Sequence, residues 1–171
     1  SLGGARYMNA GAYGGEMKQV VSRVWFLEPD GTPASLAGEA LCFGYRTSAF
    51  TNTKRVITKA ELQLESGAEA EITAKMDDLM QRRKSKQPVE LPSAGSVFKR
   101  PEGHFAGSLI ESCGLKGCAV GGACVSEKHA GFIVNLGGAT CKDVLELIAI
   151  IQETVRRETG VSLECEVRLV S

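Results

Sequence analysis

The chain has 171 residues, with 20 basic and 20 acidic side chains that give no formal net charge. The balanced charge gives no basic surface, so nucleic acid is not an implied partner. No apolar run is long enough to span a membrane, and the first residues lack a signal-peptide pattern. The six cysteines form no CxxC pair, and only two histidines accompany them. We therefore predict a cytoplasmic protein with reduced thiols and no metal site.

The first segment of note is rich in glycine. Residues 3–17 read GGARYMNAGAYGGEM and hold five glycines. Small residues at this density let the backbone approach a flat or phosphorylated ligand, with amide N–H groups as donors. The same composition also suits a tightly packed helix surface, and the residues alone leave both interpretations open.

The next predicted elements are a hairpin, a strand and a helix. Residues 20–27 read as a strand, and Pro-Asp-Gly within 28–32 is typical of a turn. A short helix is expected at 35–41. Residues 55–65 alternate, which predicts a half-buried strand. Its expected buried face consists of Val56, Thr58, Ala60, Leu62 and Leu64.

An amphipathic helix follows from residue 69. Its apolar residues recur at helical spacing, and it ends before Pro88. Basic residues at 82–86 either complement the helix dipole or form a cationic patch for a diphosphate. The apolar stripe consists of Ile72, Met76, Leu79 and Met80.

The sequence of the second half of the chain predicts two helices and two strands. A helix at 105–113 is closed by Gly114, and an apolar strand covers 132–135. Thr140 is a good N-cap for a helix that Gly160 ends. Alternation at 161–169 predicts a final strand that presents Glu166 on its polar face. His129 is either a structural histidine or an acid–base group.

Two segments carry candidate chemistry. Arg46 lies among aromatic residues, and it suits a carboxylate or a developing oxyanion, or else it is a surface arginine stacked on a ring. Ser96 follows Gly95 and precedes Lys99 and Arg100. Such a segment can present a hydroxyl at a strand end with cations nearby, and the alternative is an ordinary loop-to-strand junction with a solvated serine.

Five segments together resemble the UDP-N-acetylenolpyruvoylglucosamine reductase (MurB) family in the family's order, across nearly the whole chain. Any one of them alone is a weak signal, and the five in order are specific. They are GGARYMNAGAYGGEM at 3–17, FGYRTSAF at 43–50, SAGSVFKRPEGHFAGSLIE at 93–111, GLKGCAVGGACVSEKHAGFIVN at 114–135 and LECEVRLV at 163–170.

The resemblance implies a flavoenzyme of peptidoglycan synthesis that uses FAD and NADPH. It implies reduction of the enolpyruvyl ether of UDP-N-acetylglucosamine to UDP-N-acetylmuramate. It places Ser96 as the proton donor, Arg46 near the enolpyruvyl carboxylate and Glu166 beside the reacting double bond. Lys86 and Arg100 match positions near the substrate diphosphate, Arg100 where some relatives carry asparagine, and Tyr45 is a further expected substrate contact. The expected flavin-contacting residues are Gly3, Gly4, Asn9, Gly11 and Ala12.

The resemblance also implies an α+β fold in two parts. Residues 1–90 are expected to be the second part of an FAD-binding domain, and residues 91–171 a substrate-binding domain. Because the family's pyrophosphate-binding loop is not among these residues, we expect weak FAD binding or none, in a protein of the family's shorter class. The alternative is a substrate-binding fragment without redox activity. A flavin oxidase with another substrate is a third hypothesis, which the combination of Ser96, Arg46 and Glu166 disfavours. The sequence does not indicate an oligomeric state.

Overall fold

The computed structural model describes residues 1–170 as two compact units, Ser1–Ala74 and the residues from Lys75 onward. Helices combine with antiparallel sheets, which confirms the α+β class. The first unit contains α1 (Leu2–Tyr7), β1 (Gly11–Ala12), β2 (Gly15–Glu16), β3 (Val21–Leu27), β4 (Pro33–Ala37) and β5 (Val56–Leu62). Helix α2 (Glu69–Lys86) lies across the division. The second unit contains β6 (Ser93–Ser96), α3 (Ala106–Ser112), β7 (Ala119–Val120), β8 (Ala123–Val125), β9 (Phe132–Asn135) and α4 (Cys141–Thr159).

A three-stranded antiparallel sheet, in the order β4-β3-β5, organises the first unit. The predicted hairpin is present, since Asp30 Oδ1 accepts the Thr32 N–H at 2.9 Å and stabilises the turn between β3 and β4. One face of the sheet covers a buried apolar cluster. That cluster consists of Val21, Val24, Phe26, Leu41 and Phe50.

Two predictions for the first unit are wrong in detail. The expected short helix at 35–41 is strand β4 followed by a single 3₁₀ turn at Gly38–Leu41, because β4 pairs with β3. Strand β5 buries the predicted face only at Ala60 and Leu62, whereas Ile57 packs on the core in place of Val56, which is 59% exposed. The cause is a bulge. Trp25 pairs with Lys59 but Phe26 pairs with Ile57, so one extra residue switches the alternation.

The second unit is built on a four-stranded antiparallel sheet in the order β6-β9-β8-β7, with α4 packed against it. Helix α4 forms as predicted. Thr140 Oγ1 accepts the Asp143 N–H, the Asp143 carboxylate accepts the Thr140 N–H, and Gly160 ends the helix at a φ of 73°. The buried face of α4 consists of Leu147, Ile148, Ile151 and Val155.

The predicted final strand at 161–169 does not form. The segment makes one isolated antiparallel bridge, between Phe98 and Cys165, and Leu169 is 67% exposed. The strand pairing does not continue beyond this bridge, because the N–H groups of both Glu166 and Val167 face the carbonyl of Val97. Glu166 and Val167 therefore both lie opposite the single residue Val97, and the alternation expected of a regular strand is lost.

Candidate functional site

Ser96 is the last residue of β6, as the sequence predicts for a hydroxyl at a strand end. It pairs with Phe132 of β9, and the preceding Gly95 has a φ of +86°, which side chains rarely adopt. Ser96 is exposed, whereas the next two residues, Val97 and Phe98, are buried in the core. The hydroxyl is thus carried at the surface by a backbone that is anchored immediately beside it.

Glu166 lies next to this strand end. Its N–H donates to the Val97 carbonyl oxygen at 2.7 Å, and the Val167 N–H reaches the same oxygen at 3.4 Å. The Lys99 N–H donates to the Glu164 carbonyl oxygen at 2.8 Å, which extends the pairing. The second unit therefore brings the Ser96 and Glu166 segments side by side, joined through the residue that follows Ser96.

An ion pair that the sequence does not indicate ties these segments together. Lys99 Nζ contacts Glu164 Oε1, parallel to the backbone bond between the same two residues. Opposite charges flank the two candidate residues in the sequence, but nothing in the spacing indicates that they meet. The carboxylate of Glu164 also acts on Cys165. Burial, followed by this nearby charge, raises the pKa of the Cys165 thiol, which favours its neutral form.

The cationic candidates of the second unit occupy two places. The Arg100 guanidinium lies 4.0 Å from the Phe105 ring centroid, and its Nε donates to the His104 carbonyl oxygen at 3.3 Å. Stacking of this kind holds an arginine in one orientation while it keeps its charge. Lys86 is exposed at the C-terminal end of α2. Arg100 is therefore the more firmly positioned of the two.

His129 has a structural environment. Its Nδ1 accepts the Gly131 N–H at 3.1 Å, and its ring packs edge-on against Phe132 with centroids 5.0 Å apart. A Cβ at Gly107 would lie 3.1 Å from the imidazole Cε1, so the ring also fills the space beside α3. These contacts support the structural interpretation of His129.

The first unit holds the remaining candidates, and five of them line a cavity of about 370 Å³. Asn9 organises its floor: its Nδ2 donates to Glu16 Oε2 at 2.8 Å and to the Gly44 carbonyl oxygen at 3.1 Å, and its Oδ1 accepts the Lys18 N–H. Arg46 has a φ of 54° and lies 5.6 Å from the Tyr45 ring centroid. The cavity is lined by Asn9, Gly11, Ala12, Gly14, Gly15, Glu16, Gln19, Tyr45 and Arg46.

Space for a side chain is tight at Gly11 in this wall. A Cβ at Gly11 would lie 3.0 Å from the Gly15 carbonyl oxygen and 3.2 Å from the Glu16 Cβ. Gly3 and Gly4, the other predicted cofactor glycines, lie in α1. The structure thus gathers Asn9, Gly11 and Ala12 with Tyr45 and Arg46.

One buried charge in the glycine-rich segment was not singled out from the sequence. Arg6 is 4% exposed, and among the described residues its Nε has no hydrogen-bond acceptor. Burial lowers the pKa of the Arg6 guanidinium from its ordinary value. The sequence feature that could have indicated this buried charge is an arginine placed between a run of small residues and Tyr7.

Comparison with known proteins gives one consistent result. Residues 87–170 match the family model described as UDP-N-acetylenolpyruvoylglucosamine reductase, C-terminal domain. Over 170 residues, 99% of this chain, the sequence is 54% identical to a UDP-N-acetylenolpyruvoylglucosamine reductase of Limosilactobacillus reuteri and 52% identical to one of Clostridium perfringens. The crystal structure of the Thermus caldophilus enzyme superposes with a TM-score of 0.84 at 40% identity, over 98% of this chain and 59% of that one. Over nearly its whole length, the chain is similar to UDP-N-acetylenolpyruvoylglucosamine reductases.

The chain spans 56% and 57% of the length of these two curated relatives. The segment that matches the reductase C-terminal domain contains Ser96, Arg100 and Glu166, and it begins directly after Lys86. No helix within residues 1–170 combines the length and apolarity needed to cross a bilayer.

Proposed function

We propose that this chain takes part in the NADPH-dependent, FAD-mediated reduction of UDP-N-acetylglucosamine enolpyruvate to UDP-N-acetylmuramate, a step of peptidoglycan synthesis in the cytoplasm. The names of its relatives support the reaction. The observation that carries the proposal is the pairing of the Ser96 and Glu166 segments through the Val97 carbonyl oxygen. Residues 1–90 are assigned to the cofactor side and residues 91–171 to the substrate side.

The residues of the first unit fit an extended, partly anionic ligand such as FAD. Four of the nine residues that line the cavity are glycine or alanine, which lets a ligand approach the backbone, and Arg46 supplies a positive charge in the same lining. The cavity volume of about 370 Å³ lies within the range of small-molecule sites. The cavity would accommodate one part of the cofactor. Asn9, Gly11 and Ala12 would line this part, with Gly3 and Gly4 in the preceding helix. FAD, when bound and reduced by NADPH, supplies a hydride to the β-carbon of the enolpyruvyl group.

The chain's own residues handle the charge and the proton that this reduction requires. Addition at the β-carbon leaves negative charge shared between the α-carbon and the carboxylate of the substrate. Arg46 would stabilise that charge through the carboxylate, with Tyr45 holding the guanidinium by stacking. Ser96 would give its hydroxyl proton to the α-carbon, and Glu166 would polarise the double bond or take part in proton delivery.

Substrate binding would depend on cations that stand apart from the chemistry. A diphosphate needs positive charge at fixed positions, and Arg100 is held by Phe105 and the His104 carbonyl. Lys86, at the end of α2, would contribute a mobile ammonium group.

A serine is a poor acid in water, so the exposed Ser96 requires the bound substrate to exclude solvent from it.

A substrate-binding module without redox activity is the second candidate function. The observation that favours it is that the second unit has its own buried core and carries Ser96, Glu166, Lys86 and Arg100. Such a module would bind the UDP-sugar in the absence of flavin.

One experiment separates these proposals. The purified chain is incubated with FAD and desalted, and its visible absorption spectrum is recorded. A retained flavin band, followed by NADPH oxidation that requires the enolpyruvyl substrate, is the result expected of a reductase. A colourless chain that still binds UDP-N-acetylglucosamine enolpyruvate in calorimetry supports the binding module. Neither flavin nor substrate binding would contradict both proposals.

A further inference from the structure

The side chain of Gln152 in α4 forms a hydrogen bond with the segment that carries Glu166. Its Nε2 donates to the Leu163 carbonyl oxygen at 2.8 Å and also contacts Cys165 Sγ at 3.8 Å. The side chain is partly buried, and the residue before it, Ile151, is fully buried in the core. One amide group therefore fixes two alternate residues of the same segment.

Among the described residues, the segment has few other attachments that set its register, namely the Lys99–Glu164 ion pair and a short backbone pairing. It forms the single bridge between Phe98 and Cys165, and the backbone bonds that flank this bridge run to Glu164 and Glu166. A slip of one residue along the Val97–Lys99 stretch would exchange the faces of the segment and turn Glu166 away from its present side. A regular sheet would prevent that slip through many bonds, but this pairing is interrupted by the bulge at Glu166.

Helix α4 is well suited to serve as the fixed reference. Both ends are capped, by Thr140 and by Gly160, and four buried apolar residues anchor its face. A hydrogen bond from this helix adds to the anchoring of the segment by Leu163, which is buried in the same core, because side chains on helices are positioned more firmly than those on loops.

We propose that Gln152 is a positioning residue for the proposed reduction, which sets the register of residues 163–167 and thereby places Glu166 beside Ser96. The inference rests on the proposed function. It assigns Gln152 no contact with substrate or cofactor, since it acts only through the backbone of Leu163 and the thiol of Cys165.

The first test replaces Gln152 with glutamate, which has the same shape but lacks the amide donors at neutral pH. We expect amide hydrogen exchange at Glu166 and Lys99 to quicken by about tenfold, the effect of losing one net hydrogen bond, while exchange at Ile151 stays unchanged. Gln152→Met serves as a second variant without added charge. The matched control is Glu153→Gln, one residue along on the exposed side of α4. Unchanged exchange at Glu166 in both Gln152 variants overturns the inference.

The second test measures turnover with FAD present in excess, because weak cofactor binding is expected of this chain. We expect Gln152→Met to slow reoxidation of reduced flavin by the enolpyruvyl substrate about tenfold, with the substrate KM and the rate of flavin reduction by NADPH unchanged. A general loss of packing would affect both half-reactions. A wild-type chain that does not reoxidise flavin contradicts the proposed function and the inference built on it. A wild-type chain that does, with an equally fast variant, contradicts the positioning role alone.

Discussion

At the scale of single residues, the site combines a weak acid with an anchored backbone. The Ser96 hydroxyl stands at the surface, but the carbonyl of Val97, one residue later, is held by the Glu166 N–H. A group of high pKa contributes to proton transfer only when its position relative to the acceptor is fixed. The short connection between Ser96 and Glu166 supplies that constraint.

Replacing Ser96 with alanine tests its role directly. We expect flavin reduction by NADPH to continue at the wild-type rate and formation of the lactyl product to fall by about 10²–10⁴-fold, the range for losing a general acid. Stopped-flow absorbance follows the two half-reactions separately. Ser93→Ala is the control, because Ser93 is an exposed serine of the same strand. If both variants form product equally fast, Ser96 is not the proton donor.

Arg6 presents the opposite situation, a strong charge whose Nε has no hydrogen bond to any residue that the structure describes. An unsatisfied buried donor costs about 1–3 kcal/mol, so Arg6→Met should raise the free energy of unfolding of the cofactor-free chain by a similar amount. Urea unfolding followed by circular dichroism measures this. Arg23→Met is the control, because Arg23 is exposed on β3 and stacks on Trp25. A loss of stability in Arg6→Met would show that the guanidinium makes stabilising contacts.

At the scale of elements, local signals in the sequence predicted those structures whose causes are local. The Asp30 turn, the Thr140 cap and the Gly160 terminus all depend on neighbours within a few residues. The two failures in strands have long-range causes. The face of β5 is set by a bulge against β3, and the last strand is interrupted where Glu166 and Val167 share the Val97 carbonyl.

The same distinction applies to the candidate site. Ser96 at a strand end follows from local residue types, and so does an arginine beside Tyr45. The contact between the Ser96 and Glu166 segments joins residues 70 positions apart, a separation at which alternation gives no information. Gln152 was missed for a related reason, because a glutamine beside an apolar helix stripe looks like any exposed polar residue.

The cap of α4 gives a prediction at this scale. Thr140→Ala should cost about 1 kcal/mol of stability at neutral pH, the usual value of an N-cap. The bonds that Asp143 accepts, first from the Thr140 backbone, hold the pKa of its carboxyl below the ordinary value. A depressed carboxyl pKa adds stability above the unfolded-state pKa near 4, and that stability is lost as the pH falls through the folded value.

The corresponding measurement is urea unfolding of wild type, Thr140→Ala and Asp143→Ala between pH 7 and pH 2. Both variants should be less stable than wild type at pH 7, and the deficit of Asp143→Ala should shrink on acidification. Glu146→Ala, an exposed acidic residue of the same helix, controls for the loss of a negative charge. A deficit of Asp143→Ala that is independent of pH would show that its carboxylate does not support the cap.

At the scale of the whole molecule, α2 differs from the other long helix. Its predicted apolar stripe exists, but Ile72, Met76 and Met80 are 48%, 66% and 51% exposed. Helix α4, of similar length, buries four apolar residues. Because most helical stability in proteins comes from packing of an apolar face, α2 has little to hold it. The division between the two compact units falls within this helix.

Limited proteolysis should therefore cut the chain in α2 first. Local opening is easiest where few apolar contacts are lost, so trypsin should cleave at Arg82, Arg83 or Lys84 at least about tenfold faster than in α4. The internal control is Lys142, Arg156 and Arg157, which are exposed basic residues on the packed helix. Mass spectrometry of early time points identifies the cut. Initial cleavage in α4 would mean that α2 is the more protected helix, and that its apolar stripe is covered in solution.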